Sequence, residues 1–178
     1  GYGQTGPMVG EAGADPQIQA FSGLVSLNGA PGGKWEFYRY PVFDINTSNY
    51  IAQGILLALV ARLNTGRGQK VEVAMTAASL ALQTTRIAEY FATGRHPPLM
   101  GSATVTSVPH QAFLCLDKQC IAVGVVREEQ WKPFCEAMGL PDLTSDPRYD
   151  TNPRRVQNRQ ELIPTLERQF ATKPVRWW

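Results

Sequence analysis

Residues 44–75 carry the sequence DINTSNYIAQGILLALVARLNTGRGQKVEVAM, and this stretch decides the fold of the chain. Its apolar residues recur at steps of three and four, which predicts a helix over 46–63, with several polar residues before it able to cap its start. The Gly-rich turn 64–68 ends that helix, and the alternation over 69–75 predicts a strand. A second helix then runs from 76 to the glycine at Gly94. The order is helix, tight turn, strand, helix.

The flanking segments have a different character. Residues 1–41 are rich in Gly and Pro, with one apolar stretch from Ile18 to Leu27, which predicts loops around a short helix. The segment 96–98 breaks the second helix and predicts a linker. Beyond it, two β-rich runs around Asp117-Lys118 predict a hairpin, and two further helices are expected over 128–138 and 153–170. The sequence thus predicts an α/β region followed by a small α+β module.

Composition narrows the classes of function. The chain has 178 residues and a formal net charge of +2, and its basic residues are scattered, so nucleic acid is not an expected partner. No apolar run reaches the length of a membrane span and no signal peptide is recognised, so we expect no membrane partner. Three cysteines without metal-ligand spacing indicate a reducing compartment, and we expect a cytoplasmic protein without a metal site.

The two ends of the chain lead us to expect that it is an incomplete stretch of a longer protein. It opens on Gly1 and closes on Trp177-Trp178, just after an apparent helix start at 172–174. Exposed tryptophan rings are unfavourable in water. We therefore expect a partner chain or further sequence to cover these rings and the apolar face of 18–27.

Several short motifs in register resemble the class III CoA-transferase and α-methylacyl-CoA racemase superfamily. They are the opening GYGQTGP of 1–7, the Phe43-Asp44 pair, and TGRGQKVEV over 65–73. Later matches are VPHQAF over 108–113, DPRY over 146–149, and the Asn- and Arg-rich segment 152–159. Each motif alone is common, but their shared order and spacing cover essentially the whole chain.

The resemblance implies an α/β fold in which 1–75 form the later, C-terminal part of a Rossmann-like large domain. Residues 76–103 would be a helix and linker, and 104–178 an incomplete small α+β domain. The resemblance also implies a homodimer of two interlocked chains. The substrates would be an acyl-CoA, hence a coenzyme A thioester, and a carboxylic acid, with no permanently bound cofactor.

By the same resemblance Asp44 would be the catalytic nucleophile. In transferases of this class an aspartate attacks the thioester, giving an acyl anhydride and then an aspartyl-CoA thioester. A carboxylate must stay ionised to act in this way, and a helix N-terminus favours the ionised form. The simpler alternative is that Asp44 is only an N-cap or turn residue, because Asp is a preferred cap. We expect Asp44 at the N-terminal end of the 46–63 helix, facing a cleft.

The resemblance also points to the stretch Gly13, Ala14 and Asp15 as a candidate substrate- or CoA-binding segment. Asp15 could equally be a turn residue before Pro16. In the racemase branch the residue at position 14 is a histidine that shares proton transfer with the later aspartate. Ala14 cannot transfer a proton, which favours the transferase over the racemase. A racemase or epimerase, and an inactive fragment or interaction module, remain the alternatives.

Overall fold

The computed structural model describes residues 1–178, which separate into two compact units, 1–101 and 102–178. The first unit contains four helices. They are α1 (Asp15–Phe21), α2 (Val42–Thr65), α3 (Met75–Leu82) and α4 (Thr84–Thr93), with a short 3-10 turn at Leu24–Leu27. The second unit contains a two-stranded sheet and three helices. They are β1 (His110–Leu114), β2 (Cys120–Gly124), α5 (Trp131–Ala137), α6 (Asn152–Gln157) and α7 (Arg159–Phe170).

Helix α2 confirms the helix that was predicted over 46–63, and it is longer than predicted at both ends. It begins at Val42 rather than at 46, and it ends at Thr65, where Gly66 adopts a left-handed conformation with φ of 72°. The backbone N–H of Gly66 donates to the carbonyl of Arg62. This is the glycine-dependent stop that the sequence predicted, because a Cβ is unfavourable in that conformation.

The predicted strand over 69–75 is wrong. Residues 67–74 form no strand and no ladder, and this segment is tied to the chain start through the side chain of Glu72 instead. The N–H of Gln4 donates to the Glu72 carboxylate at 3.0 Å, and Val71 packs over Gly54 of α2. Alternation specifies which side chains share a face, but a strand also needs a neighbouring strand to pair with.

The second long helix of unit 1 is interrupted. Gln83 separates α3 from α4 with ψ of 11°, and its buried side-chain amide donates to the carbonyls of Ser22 and Ser79. The two helices therefore replace the one that the sequence predicted. The stop of α4 at Gly94, with φ of 65°, is confirmed.

The core of unit 1 is small and lies where α1, the start of α2 and the start of α3 meet. Ile18, Leu24, Phe43 and Met75 form its buried centre. Ile18 and Leu24 of the apolar stretch 18–27 are thus covered within their own unit, whereas Phe21 is 59% exposed, so the expectation that a partner covers this stretch stays a prediction. Much of the uncovered apolar surface of unit 1 lies on α2, whose exposed aliphatic side chains are Ile45, Ile51, Ile55, Leu56, Leu57, Leu59, Val60 and Leu63.

Unit 2 contains the predicted hairpin, with β1 and β2 paired antiparallel. Leu114 pairs with Cys120, so Cys115 is buried while Cys120 is exposed. The register therefore places the two cysteine side chains on different faces of the hairpin. The expected helix over 153–170 is divided at Asn158 into α6 and α7.

The chain end also differs from expectation. Residues 172–174 begin no helix, and the indole N–H of Trp178 donates to the carbonyl of Phe170 at 3.0 Å. Trp178 packs against the core of unit 2, while Trp177 is 59% exposed. One of the two rings is therefore covered by its own unit. None of the helices combines the length and apolar character that a membrane span requires.

Arg155 is the buried charge around which unit 2 is organised, with a relative exposure of 1%. Its guanidinium donates to the carbonyls of Val108 and Tyr149 and pairs with Glu128 at 2.9 Å. It also lies over the ring of Trp131 at 4.6 Å. Desolvation acts to raise the pKa of Glu128, but hydrogen bonds from the Asn152 N–H and from Arg155 lower it below its ordinary value.

We expect Arg155→Met to lower the free energy of unfolding of unit 2 by about 3–5 kcal/mol. The change leaves two buried carbonyl groups without their donor, which is the usual source of such losses. Chemical denaturation followed by tryptophan fluorescence measures it. The control is Arg154→Ala, which removes an exposed ion pair with Asp150 and should cost less than about 1 kcal/mol. Equal effects of the two changes would contradict the role given to Arg155.

Candidate functional site

Asp44 lies in the first turn of α2, two residues after the helix begins at Val42. The sequence placed it just ahead of the helix, and the structure moves it inside. Its side chain is exposed and has no hydrogen-bond or ion-pair partner within the chain. Asp44 therefore presents an unengaged carboxylate to solvent.

The backbone beside Asp44 is held by Asp15, which comes from the start of α1. Oδ2 of Asp15 accepts the N–H of Phe43 at 2.6 Å and the N–H of Asp44 at 3.1 Å. The residue before α2 is Pro41, which provides no side-chain cap. The start of α2 is thus capped by a carboxylate distant in sequence, and the site brings together two segments that the sequence analysis had marked separately.

Gln19 completes this arrangement one helical turn after Asp15. Its Nε2 donates to Oδ1 of Asp15 at 2.5 Å, and its Oε1 accepts the N–H of Tyr38 at 3.0 Å. Sequence reasoning did not identify Gln19. The signal available in the sequence was its i, i+4 spacing from Asp15 on a helix, which places the two side chains on one face.

Ala14 and Gly13 lie immediately before Asp15. Ala14 has an extended backbone with φ of −92°, is exposed, and donates its N–H to Oε1 of Gln17 at 2.6 Å. A Cβ at Gly13 would lie 2.8 Å from the Cα of Gly1, so the chain start packs directly against this glycine. The structure therefore places residues 13–15 beside the start of α2 through the contacts of Asp15.

Three cavities of unit 1 lie away from Asp44. One of 380 Å³ lies between α2 and α3, and another of 260 Å³ lies beside α4 and is lined by Arg86 and His96 among others. A third, of 350 Å³, lies between α2 and the segment after it. Asp44 lines none of these three. The cleft expected in front of Asp44 stays a prediction for the complete protein.

The remaining titratable side chains do not form a second reactive group. No three His, Cys, Asp or Glu side chains are placed to hold a metal ion. Burial raises the pKa of the Cys135 thiol to about 12 and also raises the pKa of Cys115. These two thiols are therefore protonated near neutral pH, and thiolate is the reactive form of cysteine.

Comparison with known proteins gives one consistent result. The family described as CoA-transferase family III matches residues 1–178. Succinyl-CoA:glutarate CoA-transferase of Mus musculus is 33% identical over 178 residues, which are 100% of this chain and 41% of that protein. Acetyl-CoA:oxalate CoA-transferase of Acetobacter aceti is 30% identical over 179 residues, with 100% of this chain and 46% of that protein covered.

A solved structure agrees with these relatives. The crystal structure of a CAIB/BAIF family protein from Brucella suis superposes with a TM-score of 0.81 at 30% identity, over 99% of this chain and 46% of that one. The fold is thus the helix-rich mixed α/β fold of that structure. The chain belongs to CoA-transferase family III. It spans less than half the length of these curated relatives.

Because the Asp44 side chain makes no contact that supports the fold, we expect Asp44→Asn to change the stability of the protein little. Loss of a favourable charge at a helix N-terminus costs about 0.3–1 kcal/mol. Thermal or chemical denaturation measures this cost. The control is Asp142→Asn, which removes an exposed carboxylate from the first turn of the 3-10 helix Pro141–Thr144 in unit 2. A loss of about 3 kcal/mol or more for the Asp44 variant would assign that residue a structural role.

Proposed function

We propose that the complete protein containing this chain is a CoA-transferase that moves CoA between an acyl-CoA and a carboxylic acid, with Asp44 as its nucleophile. The observation that carries the proposal is the exposed, unpartnered carboxylate of Asp44 on a helix start whose backbone is fixed by Asp15. Membership of CoA-transferase family III supports the reaction class. Relatives whose names give succinyl-CoA, glutarate and oxalate support acids as acceptors.

The proposed reaction has four balanced steps. The Asp44 carboxylate attacks the thioester carbonyl of the donor, forming an acyl anhydride and releasing the CoA thiolate. The thiolate attacks the Asp44 carbonyl, forming an aspartyl-CoA thioester and releasing the donor acid as its carboxylate. The acceptor carboxylate attacks that thioester, giving a new anhydride and CoA thiolate. The thiolate then attacks the acceptor acyl carbon, which yields the new acyl-CoA and restores the Asp44 carboxylate.

Ala14 distinguishes this proposal from a racemase. Racemisation at the α-carbon needs a base on each face, and the methyl side chain of Ala14 carries no titratable group. CoA transfer needs one nucleophilic carboxylate and no second base. We assign Gly13 and Ala14 to the substrate side of the proposed site, because the next residue, Asp15, contacts the backbone of Asp44.

In the complete protein we expect Asp44→Ala and Asp44→Asn to lower kcat for CoA transfer by several orders of magnitude, because each removes the nucleophile. With an ¹⁸O-labelled acceptor acid, the wild-type protein should carry label in the Asp44 carboxylate after turnover, as peptide mass spectrometry would show. Hydroxylamine added during turnover should trap Asp44 as its hydroxamate. Asp142→Asn is the control that should leave kcat unchanged.

Two results would contradict the proposal. One is CoA transfer that proceeds with no label in Asp44. The other is rapid exchange of the α-proton of an acyl-CoA with deuterated water in the absence of transfer to any acid tested, which would favour the racemase.

We also propose the organisation of the complete protein. Residues 1–75 would be the later part of a Rossmann-like large domain, 76–103 a helix and linker, and 104–178 part of a small α+β domain. Two such chains would form a homodimer in which the apolar face of α2 is covered. The exposed leucines and isoleucines of that face support this, since contiguous apolar surface of this kind is usually buried by a partner or by further sequence.

Light scattering of the complete protein should give twice the mass of one chain. The isolated segment 1–178 should associate or aggregate through α2, and Leu56→Lys with Leu63→Lys should reduce that association without unfolding, because both side chains are more than half exposed. A monomeric complete protein would refute the proposed dimer.

A further inference from the structure

The buried carboxylate of Asp15 is not used by the proposed chemistry. It is 4% exposed, so it has almost no contact with solvent. An ionised carboxylate in such a place is costly unless donors surround it. The donors that satisfy it are the N–H groups of Phe43 and Asp44 on one oxygen and the side-chain amide of Gln19 on the other.

The contacts require an acceptor at both oxygens of Asp15. Two backbone N–H groups point at Oδ2, and the Nε2 of Gln19 points at Oδ1. The orientation of the Gln19 amide is itself fixed, because Oε1 accepts the N–H of Tyr38 and Nε2 also donates to the Tyr38 carbonyl at 3.3 Å. An asparagine at position 15 would point its own amide N–H groups either at the Gln19 amide or at the two backbone N–H groups, which are donors as well. Of the two side chains, only the carboxylate of aspartate accepts hydrogen bonds at both of its terminal atoms.

We propose that Asp15 is the positioning residue of Asp44. By holding the N–H of Asp44 and of the residue before it, the carboxylate fixes the direction in which the Asp44 side chain leaves the first turn of α2. Gln19 holds Asp15 in place and ties it to the loop at Tyr38. This role rests on the proposed function, because it assigns Asp15 to the orientation of the nucleophile rather than to contact with the substrate.

Two simpler roles make different predictions. If Asp15 is only a helix cap, its loss lowers stability, and activity falls only as far as the protein unfolds. If Asp15 contacts substrate, its loss raises KM. If it positions Asp44, its loss lowers kcat at nearly constant KM for acyl-CoA in a folded protein, since a displacement of about 1 Å at the reacting atom can cost about 10²-fold in rate.

The experiment is a double-mutant cycle in the complete protein, with kcat, KM for acyl-CoA and melting temperature measured for each variant. Asp15→Asn should lower kcat about 10²-fold and change KM for acyl-CoA less than about three-fold. Gln19→Glu should also lower kcat, because it sets a second carboxylate against Asp15. The double variant Asp15→Asn with Gln19→Glu restores a donor facing an acceptor between the two side chains, while the oxygen that replaces Nε2 faces the Tyr38 carbonyl as it does in Gln19→Glu. It should therefore be more active than Gln19→Glu by about ten-fold or more.

The matched control is Ile18→Val, which lies on the same helix, is fully buried and makes no side-chain hydrogen bond. It should lower the melting temperature while kcat stays within about two-fold of the wild type, because it leaves the contacts of Asp15 intact.

The positioning role is overturned if Asp15→Asn keeps its kcat, if KM rises while kcat is unchanged, or if the double variant is no more active than Gln19→Glu. It is also overturned if kcat follows melting temperature across the series, with Ile18→Val included. Should neither single variant be soluble, kcat and melting temperature of the double variant decide together. A kcat lowered about ten-fold or more at a melting temperature no lower than that of Ile18→Val supports the role, and a kcat within about two-fold of the wild type at that melting temperature refutes it. Failure of the proposed function shows separately, as absence of ¹⁸O label at Asp44 in the wild-type protein.

Discussion

A buried carboxylate is the constraint on which unit 1 depends. Asp15 is out of contact with water, and three donors from two parts of the chain, the start of α2 and Gln19 of α1, replace the lost solvent. Because those donors include the first-turn N–H groups of α2, the start of that helix must lie against α1. Phe43 is then drawn into the core, with no exposed surface, while the next residue, Asp44, faces outward. The polar interaction thus sets both a packing contact and the exposure of the candidate nucleophile.

In unit 2 a buried cation, Arg155, has the role that the buried carboxylate has in unit 1. The guanidinium of Arg155 is buried from solvent and donates hydrogen bonds to two backbone carbonyl groups that belong to loops. Arginine suits this role because its planar group carries several donors in fixed directions and stacks on an aromatic ring, here that of Trp131. In each unit a small apolar cluster supplies the driving force, and one buried ion determines which loops can close around it.

The outer face of α2 is apolar and is not covered by the rest of unit 1. Its leucine, isoleucine and valine side chains lie in water along most of the helix, and the segment that follows forms no strand. Both are features of an element that normally lies in the middle of a larger layer, since apolar surface and unpaired extended backbone are each stabilised by a neighbour. This agrees with a chain that covers less than half the length of its curated relatives.

The sequence by itself determined the features that depend on neighbouring residues along the chain. The periodicity of α2, the left-handed glycines Gly66 and Gly94 that end helices, and the hairpin at 110–124 were all predicted, because each follows from local conformational preference. The motifs in register also sufficed to indicate the family. A residue four positions from Asp15, Gln19, was within reach of the same reasoning and was missed.

The tertiary structure decided the features that depend on the path of the chain. The contact of Asp15 with Asp44, the break at Gln83, the missing partner for 69–75 and the separate faces of Cys115 and Cys120 all require knowing which distant groups meet. Local periodicity constrains which side chains share a face, but it does not say what lies opposite that face. The partner of a buried ion or of an extended segment is settled only when the whole chain is packed, because the free energy of each polar contact depends on the burial around it.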